Sequence, residues 1–215
     1  MQSRTGPARR KSDLAVEPVG VEVDSLPKPL DFAAMFDRPG PVELEIGSGK
    51  GTFLVQQLEA RAGVNFLGIE WASPYWRQAA DRLRRRGFAG RVVMLRTDAA
   101  AFVTDYVPDA SLAAVHVYFP DPWPKARHHK RRLVQPDFLL QVERMLAPGG
   151  RLQVATDHAD YWEQIRAVVA DSPLQVVDYE RPAGAREGEV AGTNFERKYV
   201  AEGRTFHAIA AVRAT

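Results

Sequence analysis

The chain has 215 residues, 45% of them hydrophobic, and its 29 Lys and Arg against 27 Asp and Glu leave a formal net charge of +2. That length buries a full core in one domain. The lack of cysteine excludes disulfides and thiolate metal sites, and so small a net charge is no argument by itself for a polyanionic partner. No run approaches the roughly 20 apolar residues of a membrane span, and no apolar signal segment follows Met1, so a cytoplasmic protein without membrane association is expected.

Met1 to Lys11 is basic and polar and reads as a flexible lead-in. Val42–Ile46 reads as a strand ending at Gly47, and Thr52–Arg61 has helical spacing through Phe53, Leu54, Gln57 and Leu58. Asn65–Glu70 is a second strand. A helix over Pro74–Arg86 follows, with its cations mostly away from Tyr75, Ala79 and Leu83. Arg91–Leu95 is a third strand and Leu112–Phe119 a fourth, apolar except for His116. Gln135–Leu146 reads as a helix terminated by Pro148-Gly149-Gly150, with a fifth strand at Arg151–Ala155 and a helix over Ala159–Ala170. Leu174–Tyr179 and Phe206–Val212 complete the set, and Pro182–Gly192 reads as a mobile loop. The alternation predicts an open α/β sheet with helices on both faces.

Ligands of such sheets bind outside the carboxyl ends of the strands. Gly47-Ser48-Gly49-Lys50-Gly51 follows the first strand, Glu70 ends the second, and Asp98, Asp121 and Asp157 follow the next three. The glycine loop permits close approach of backbone to ligand and opens a helix. It matches neither the full dinucleotide pattern nor the phosphate-binding loop, because Lys50 lies inside the glycine run. Glu45, two residues before Gly47, repels a pyrophosphate but suits an amino-bearing ligand, and Glu70 can accept both hydroxyls of a ribose. A cofactor with adenine and ribose but no phosphate fits best, and S-adenosylmethionine has that composition.

Asp121 lies in Phe119-Pro120-Asp121-Pro122-Trp123-Pro124-Lys125, where three prolines stiffen the backbone. Lys125, Arg127, His128, His129, Lys130, Arg131 and Arg132 form a dense basic run directly after it, suited to phosphates. A second basic group, Arg82, Arg84, Arg85 and Arg86, reads as a solvated helix face. Nothing in the spacing implies metal ligation by the two histidines.

These residues carry a resemblance. Glu45-Ile46-Gly47-Ser48-Gly49-Lys50-Gly51, the Pro-Asp-Pro-Trp-Pro-Lys segment with its basic continuation, Thr156-Asp157 and Thr193-Asn194-Phe195-Glu196 resemble the bacterial tRNA (guanine-N7)-methyltransferase family over about Val42 to Ala210. The resemblance implies a Rossmann-like S-adenosylmethionine-dependent methyltransferase fold in residues 42–215, preceded by a basic lead and entry segment in 1–41. It implies methyl transfer to N7 of guanine 46 in the tRNA variable loop. It places Glu45, Gly47, Gly49, Gly51, Glu70 and Asp98 at the cofactor, and Asp121 there and in catalysis. It also places Lys125 and Asp157, the basic run, and Thr193, Asn194, Phe195 and Glu196 at the substrate. Arg96-Thr97 stands where the family often has asparagine near the adenine.

Guanine N7 carries an in-plane lone pair and no proton, so alignment and electrostatics should dominate the chemistry. Asp121 can orient the base through its N1–H or exocyclic amine, or stabilise the positive charge that forms on it. Trp123 or Tyr118 can stack on an extruded base, or Trp123 can serve as a packing anchor. A dehydrogenase leaves the basic run without a purpose, and a non-enzymatic RNA-binding protein leaves the converging carboxylates without one. A methyltransferase acting on another RNA is the nearer alternative. Monomer and homodimer both remain open.

Overall fold

The computed structural model describes residues 14–200 and 202–215, so the lead-in at Met1–Lys11 lies outside the described residues. Strands β1 (Gly20–Val21), β2 (Val42–Ile46), β3 (Asn65–Ile69), β4 (Val92–Leu95), β5 (Leu112–Tyr118), β6 (Leu146–Thr156), β7 (Gln175–Val177) and β8 (His207–Val212) form one sheet. Their order is β1-β4-β3-β2-β5-β6-β8-β7. Every pairing is parallel except those of β8 with β6 and β7. The chain runs from β2 outward through β3 and β4, then returns to lay β5 on the other side of β2. The crevice between the carboxyl ends of β2 and β5 is therefore the topological switch point.

Residues of β2 and β3 are buried without exception, as expected of central parallel strands covered on both faces. Their side chains alternate between two cores. Leu44, Ile46, Leu67 and Val115 join a cluster under α4 (Ala99–Asp105), α5 (Pro136–Met145) and α6 (Ala159–Ala170). Phe66, Met94 and Tyr118 join another under α2 (Thr52–Ala60) and α3 (Ser73–Arg85). Trp76, Ala79, Ala80 and Leu83 make the buried stripe of α3, whereas Tyr75, assigned to that stripe by spacing, is 47% exposed.

Several boundaries differ from expectation for physical reasons. Pro148-Gly149-Gly150 does not lie between a helix and a strand: β6 begins at Leu146, and the pairing steps from Leu112↔Leu146 to Ala114↔Arg151. The turn residues form a bulge within the ladder, with Gly149 at φ +75°. Of the expected lead and entry segment, residues 14–41 are described and join the domain: β1 pairs with β4, and Val19, Leu30 and Phe36 are buried in the same two cores. A short helix α1 (Phe32–Met35) is capped by Asp31, and a further helix α7 (Asn194–Val200) follows the segment read as a mobile loop.

Candidate active site

The loop after β2 is shaped by backbone conformations that glycine alone adopts at low cost: Gly47, Gly49 and Gly51 have φ of +79°, +53° and +68°. The Gly47 and Ser48 N–H groups donate to the Ile69 carbonyl, each at 2.9 Å. Glu70 completes the fold of the loop, its carboxylate accepting from Gly49 N–H and Ala72 N–H, each at 2.8 Å. Pinned in this way, it retains lone pairs for a ligand hydroxyl. A Cβ at Gly68 beside it would sit 2.4 Å from Met94 Sδ and 2.7 Å from Leu54 Cδ1, so a larger residue would force these buried side chains to move.

Glu45 is the anomaly of the site. Its side chain is 3% exposed, yet Oε2 has no hydrogen-bond partner. Burial, reinforced by the Glu70 carboxylate nearby, pushes its carboxyl up to about 8. A buried, unpartnered carboxylate oxygen beside the glycine loop is a receptor for a cationic donor. The α-ammonium of S-adenosylmethionine is a donor of that kind. Asp98 caps α4 by accepting the Ala101 N–H at 3.0 Å and stays exposed at the rim.

Across the switch point, β5 ends in a strained corner. Phe119 and Trp123 have φ of +55° and +44°, rare for bulky residues, and they bracket Pro120-Asp121-Pro122. The Phe119 N–H donates to Ala155 O at 2.7 Å, and its ring stacks on Phe195 at 4.9 Å. Asp121 is exposed at the apex. Ala126–Arg131 then turns as a 3-10 helix. Lys125, Arg127, Lys130 and Arg131 are exposed on it, without a carboxylate partner among the described residues. In and just after α3, by contrast, Arg84 and Arg85 pair with Asp81 and Arg86 with Glu59 as on a solvated face, but Arg82, read with them, is half-buried and donates to Thr52 Oγ1 at 2.8 Å.

The two halves enclose a cavity of about 1190 Å³. Glu45, Gly47, Gly49, Glu70 and Asp98 line one side; Asp121, Trp123, Lys130, Arg131 and Arg132 line another, with Thr193, Asn194 and Phe195 above. Of the expected residues, Gly51, Lys125, Arg127, His128, His129, Asp157 and Glu196 do not line it. Gly51 is instead the N-cap residue of α2. The geometry adds Lys50, Trp71, Tyr75 and Lys198, with Trp71 73% exposed at the mouth. An apolar aromatic directly after the acidic strand end was the available sign of Trp71; Lys198 carried no comparable signal.

Four expectations need correction or refinement. Arg132, read with the phosphate-binding run, has a side chain only 1% exposed and pairs with Asp160. The Asp157 carboxylate is held by Arg204 at 2.6 Å. Glu196 is 0% exposed, and its carboxylate accepts the N–H groups of Val190, Ala191 and Gly192. Since Thr193 Oγ1 accepts the Glu196 N–H at 3.1 Å, Thr193 caps the start of α7 while Glu196 ties down the segment before it. The segment 182–192, read as mobile, is tied down: Gln57 donates to Ala183 O at 2.7 Å, Gln56 to Gly192 O at 3.1 Å and Tyr179 to Val190 O at 2.8 Å.

The stacking alternatives also narrow. Tyr118 is buried, its hydroxyl donating to Gln153 Oε1 at 2.7 Å and lying 3.1 Å from His116 Nδ1. His116 is itself buried and meets Glu43 at 3.0 Å. The Arg131 guanidinium lies over the Trp123 ring, 5.0 Å from its centre. Phe195, 38% exposed, presents its ring to the cavity. Among the described residues, no group of three or more His, Asp or Glu could hold a metal ion, and no helix is long and apolar enough to cross a membrane.

A family model described as "Putative methyltransferase" matches residues 39–209. The chain is 39% identical over 203 residues to a tRNA (guanine-N(7)-)-methyltransferase of Alkalilimnicola ehrlichii, covering 93% of this chain and 84% of that protein. It is 46% identical over 148 residues to one of Bordetella parapertussis, covering 69% of this chain but only 58% of that protein's length. Among solved structures, an S-adenosylmethionine-dependent O-methyltransferase from Thermotoga maritima superposes with a TM-score of 0.55 at 16% identity, covering 85% of this chain and 63% of that one; the likeness concerns the fold.

Proposed function

The chain belongs to the tRNA (guanine-N7)-methyltransferase family, and on that premise we propose that it methylates tRNA at guanine N7, with guanine 46 of the variable loop as the target. The observation that carries the reading is the pairing, across one switch point, of a buried carboxyl at Glu45, whose Oε2 has no partner, with an exposed carboxylate at Asp121 on a strained loop. The first suits the amino-acid end of the cofactor. The second, beside four unpaired cations, suits a base delivered on a phosphate backbone.

Bound S-adenosylmethionine supplies an electrophilic methyl group on a sulfonium. Glu45 would hold its ammonium and Glu70 its ribose, with Asp98 also at the cofactor. Asp121 accepts from the N1–H or exocyclic amine of the guanine and so turns N7 toward the methyl carbon. Methyl transfer would leave a positive charge on the base, and the same carboxylate would stabilise it. No general base is needed, because N7 has no proton to lose. Lys130 and Arg131 hold phosphates. The reading implies a cytoplasmic enzyme.

Incubating the protein with methyl-labelled cofactor and an unmodified tRNA transcript, then mapping the label by cleavage at 7-methylguanine, tests both levels of the proposal. Label at guanine 46, lost when that base is replaced by adenine, is expected. Label at N7 of another guanine would overturn the position alone, and label on no guanine would overturn the activity.

A further inference from the structure

Arg132 is the one member of the basic run withdrawn from water, and a guanidinium is buried without large loss only where its donors are engaged. Its Nε donates to the Pro122 carbonyl at 2.8 Å, and Nη1 donates to Gln164 Oε1 at 2.8 Å. Nη2 donates to Asp160 at 2.5 Å and lies 3.0 Å from His129 Nε2. The guanidinium also lies over the Tyr161 ring, 4.8 Å from its centre. Asp160, Tyr161 and Gln164 all belong to α6. One side chain thus fastens the proline loop to a helix of the core.

That loop is poor in other means of attachment. Pro120, Pro122 and Pro124 have no N–H to donate, and the backbone is strained at Phe119 and Trp123. Such conformations persist only where the surroundings over-determine them. Phe119 is held on one side by Ala155 and Phe195. On the other side, the bond from Arg132 reaches the carbonyl of the residue next to Asp121.

We propose that Arg132 is a positioning residue: by holding the Pro122 carbonyl against α6 it fixes the direction in which Asp121 presents its carboxylate to the target base. This rests on the reading of Asp121 given above. It removes Arg132 from the phosphate-binding set and gives it a role that lysine cannot fill, since one ammonium cannot span the Pro122 carbonyl, Gln164 and Asp160 in the fork geometry.

The test compares Arg132→Lys with Arg131→Gln. Single-turnover methylation of tRNA should fall tenfold or more in Arg132→Lys, with tRNA affinity and its salt dependence within about twofold of wild type. Arg131→Gln should instead flatten the salt dependence. Because Arg132 acts through Asp121, the double variant Asp121→Asn with Arg132→Lys should react no more slowly than Asp121→Asn alone. Independently of turnover, the fluorine spectrum of protein labelled with 5-fluorotryptophan should show one narrow Trp123 line in wild type, broadened or split in Arg132→Lys. Trp123→Phe assigns that line.

Additive rate losses, weakened tRNA binding with a reduced salt slope, or an unchanged Trp123 line would each overturn the proposal. If the wild type methylates no tRNA, the functional reading fails while the Trp123 line still decides whether Arg132 holds the loop. If Arg132→Lys does not fold, Asp160→Asn, which removes one tie and keeps the arginine, is held to the same expectations.

Discussion

Replacing Glu45 with Gln keeps the shape of the buried side chain and removes its charge, and the consequence follows from a carboxyl raised to about 8. At pH 7 such a group is mostly protonated, and ionising it costs on the order of 1 kcal/mol. A ligand ammonium that requires the carboxylate should bind about tenfold more tightly for each pH unit gained up to about pH 8. Above that, the ligand's own α-amino group, with an ordinary value of about 7.7–8.0, loses its proton, so affinity passes through a maximum. For the unliganded protein the sign is opposite. A carboxyl raised from 4.5 to about 8 contributes stability that is fully present below 4.5 and is lost as pH rises through 8, on the order of 5 kcal/mol across that window. Calorimetric titration with S-adenosylmethionine from pH 6 to 9 should show the rising limb in wild type and none in Glu45→Gln. An identical limb in the variant, or a flat profile in wild type, would refute the reasoning.

Asp121→Asn should lower the single-turnover rate by about a hundredfold, the scale of losing one oriented electrostatic contact, with cofactor and tRNA affinities little changed; a near-normal rate would remove Asp121 from the chemistry. Neutralising Lys130 and Arg131 together should reduce the slope of log affinity against log salt by about 1.4 to 1.8, from roughly 0.7 to 0.9 per phosphate contact, and an unchanged slope would show that neither touches the backbone. Glu196→Gln leaves three backbone N–H groups sharing one neutral oxygen, so the urea midpoint should drop by the equivalent of about 1–3 kcal/mol. Burial opposes ionisation of Glu43, but hydrogen bonds and charge from His116 and Arg61 hold it at about 2. Its contribution is present above 4.5 and lost as pH falls through 2, so Glu43→Gln should blunt acid destabilisation in that window.

Much of this site was legible because strand ends are marked twice, by apolar runs of about five residues and by the polar residue that follows them. Glu70, Asp98 and Asp121 needed only that pattern to be placed together, while Glu45, inside β2, was placed by its nearness to the glycine loop. The missed features depend on partners far away in the chain. Arg132 looks like its neighbours until α6, 28 residues later, supplies Asp160. The loop at 182–192 has the composition of a flexible segment, and only glutamines from α2 and Glu196 reveal it as a fixed strap. Thr193 and Glu196 did carry a local signal, since Ser/Thr-x-x-Glu opens helices, but their place in a functional motif drew attention to substrate instead. Asp98 before three alanines and Phe102 was likewise a readable helix start.

A crystal structure with S-adenosylhomocysteine and tRNA bears most directly on the central claim. It should place the ligand ammonium on Glu45, the ribose on Glu70 and an extruded guanine between them and Asp121, with N7 toward the sulfur. An adenosine lying outside the crevice between β2 and β5, or an Asp121 carboxylate turned away from the base, would contradict it.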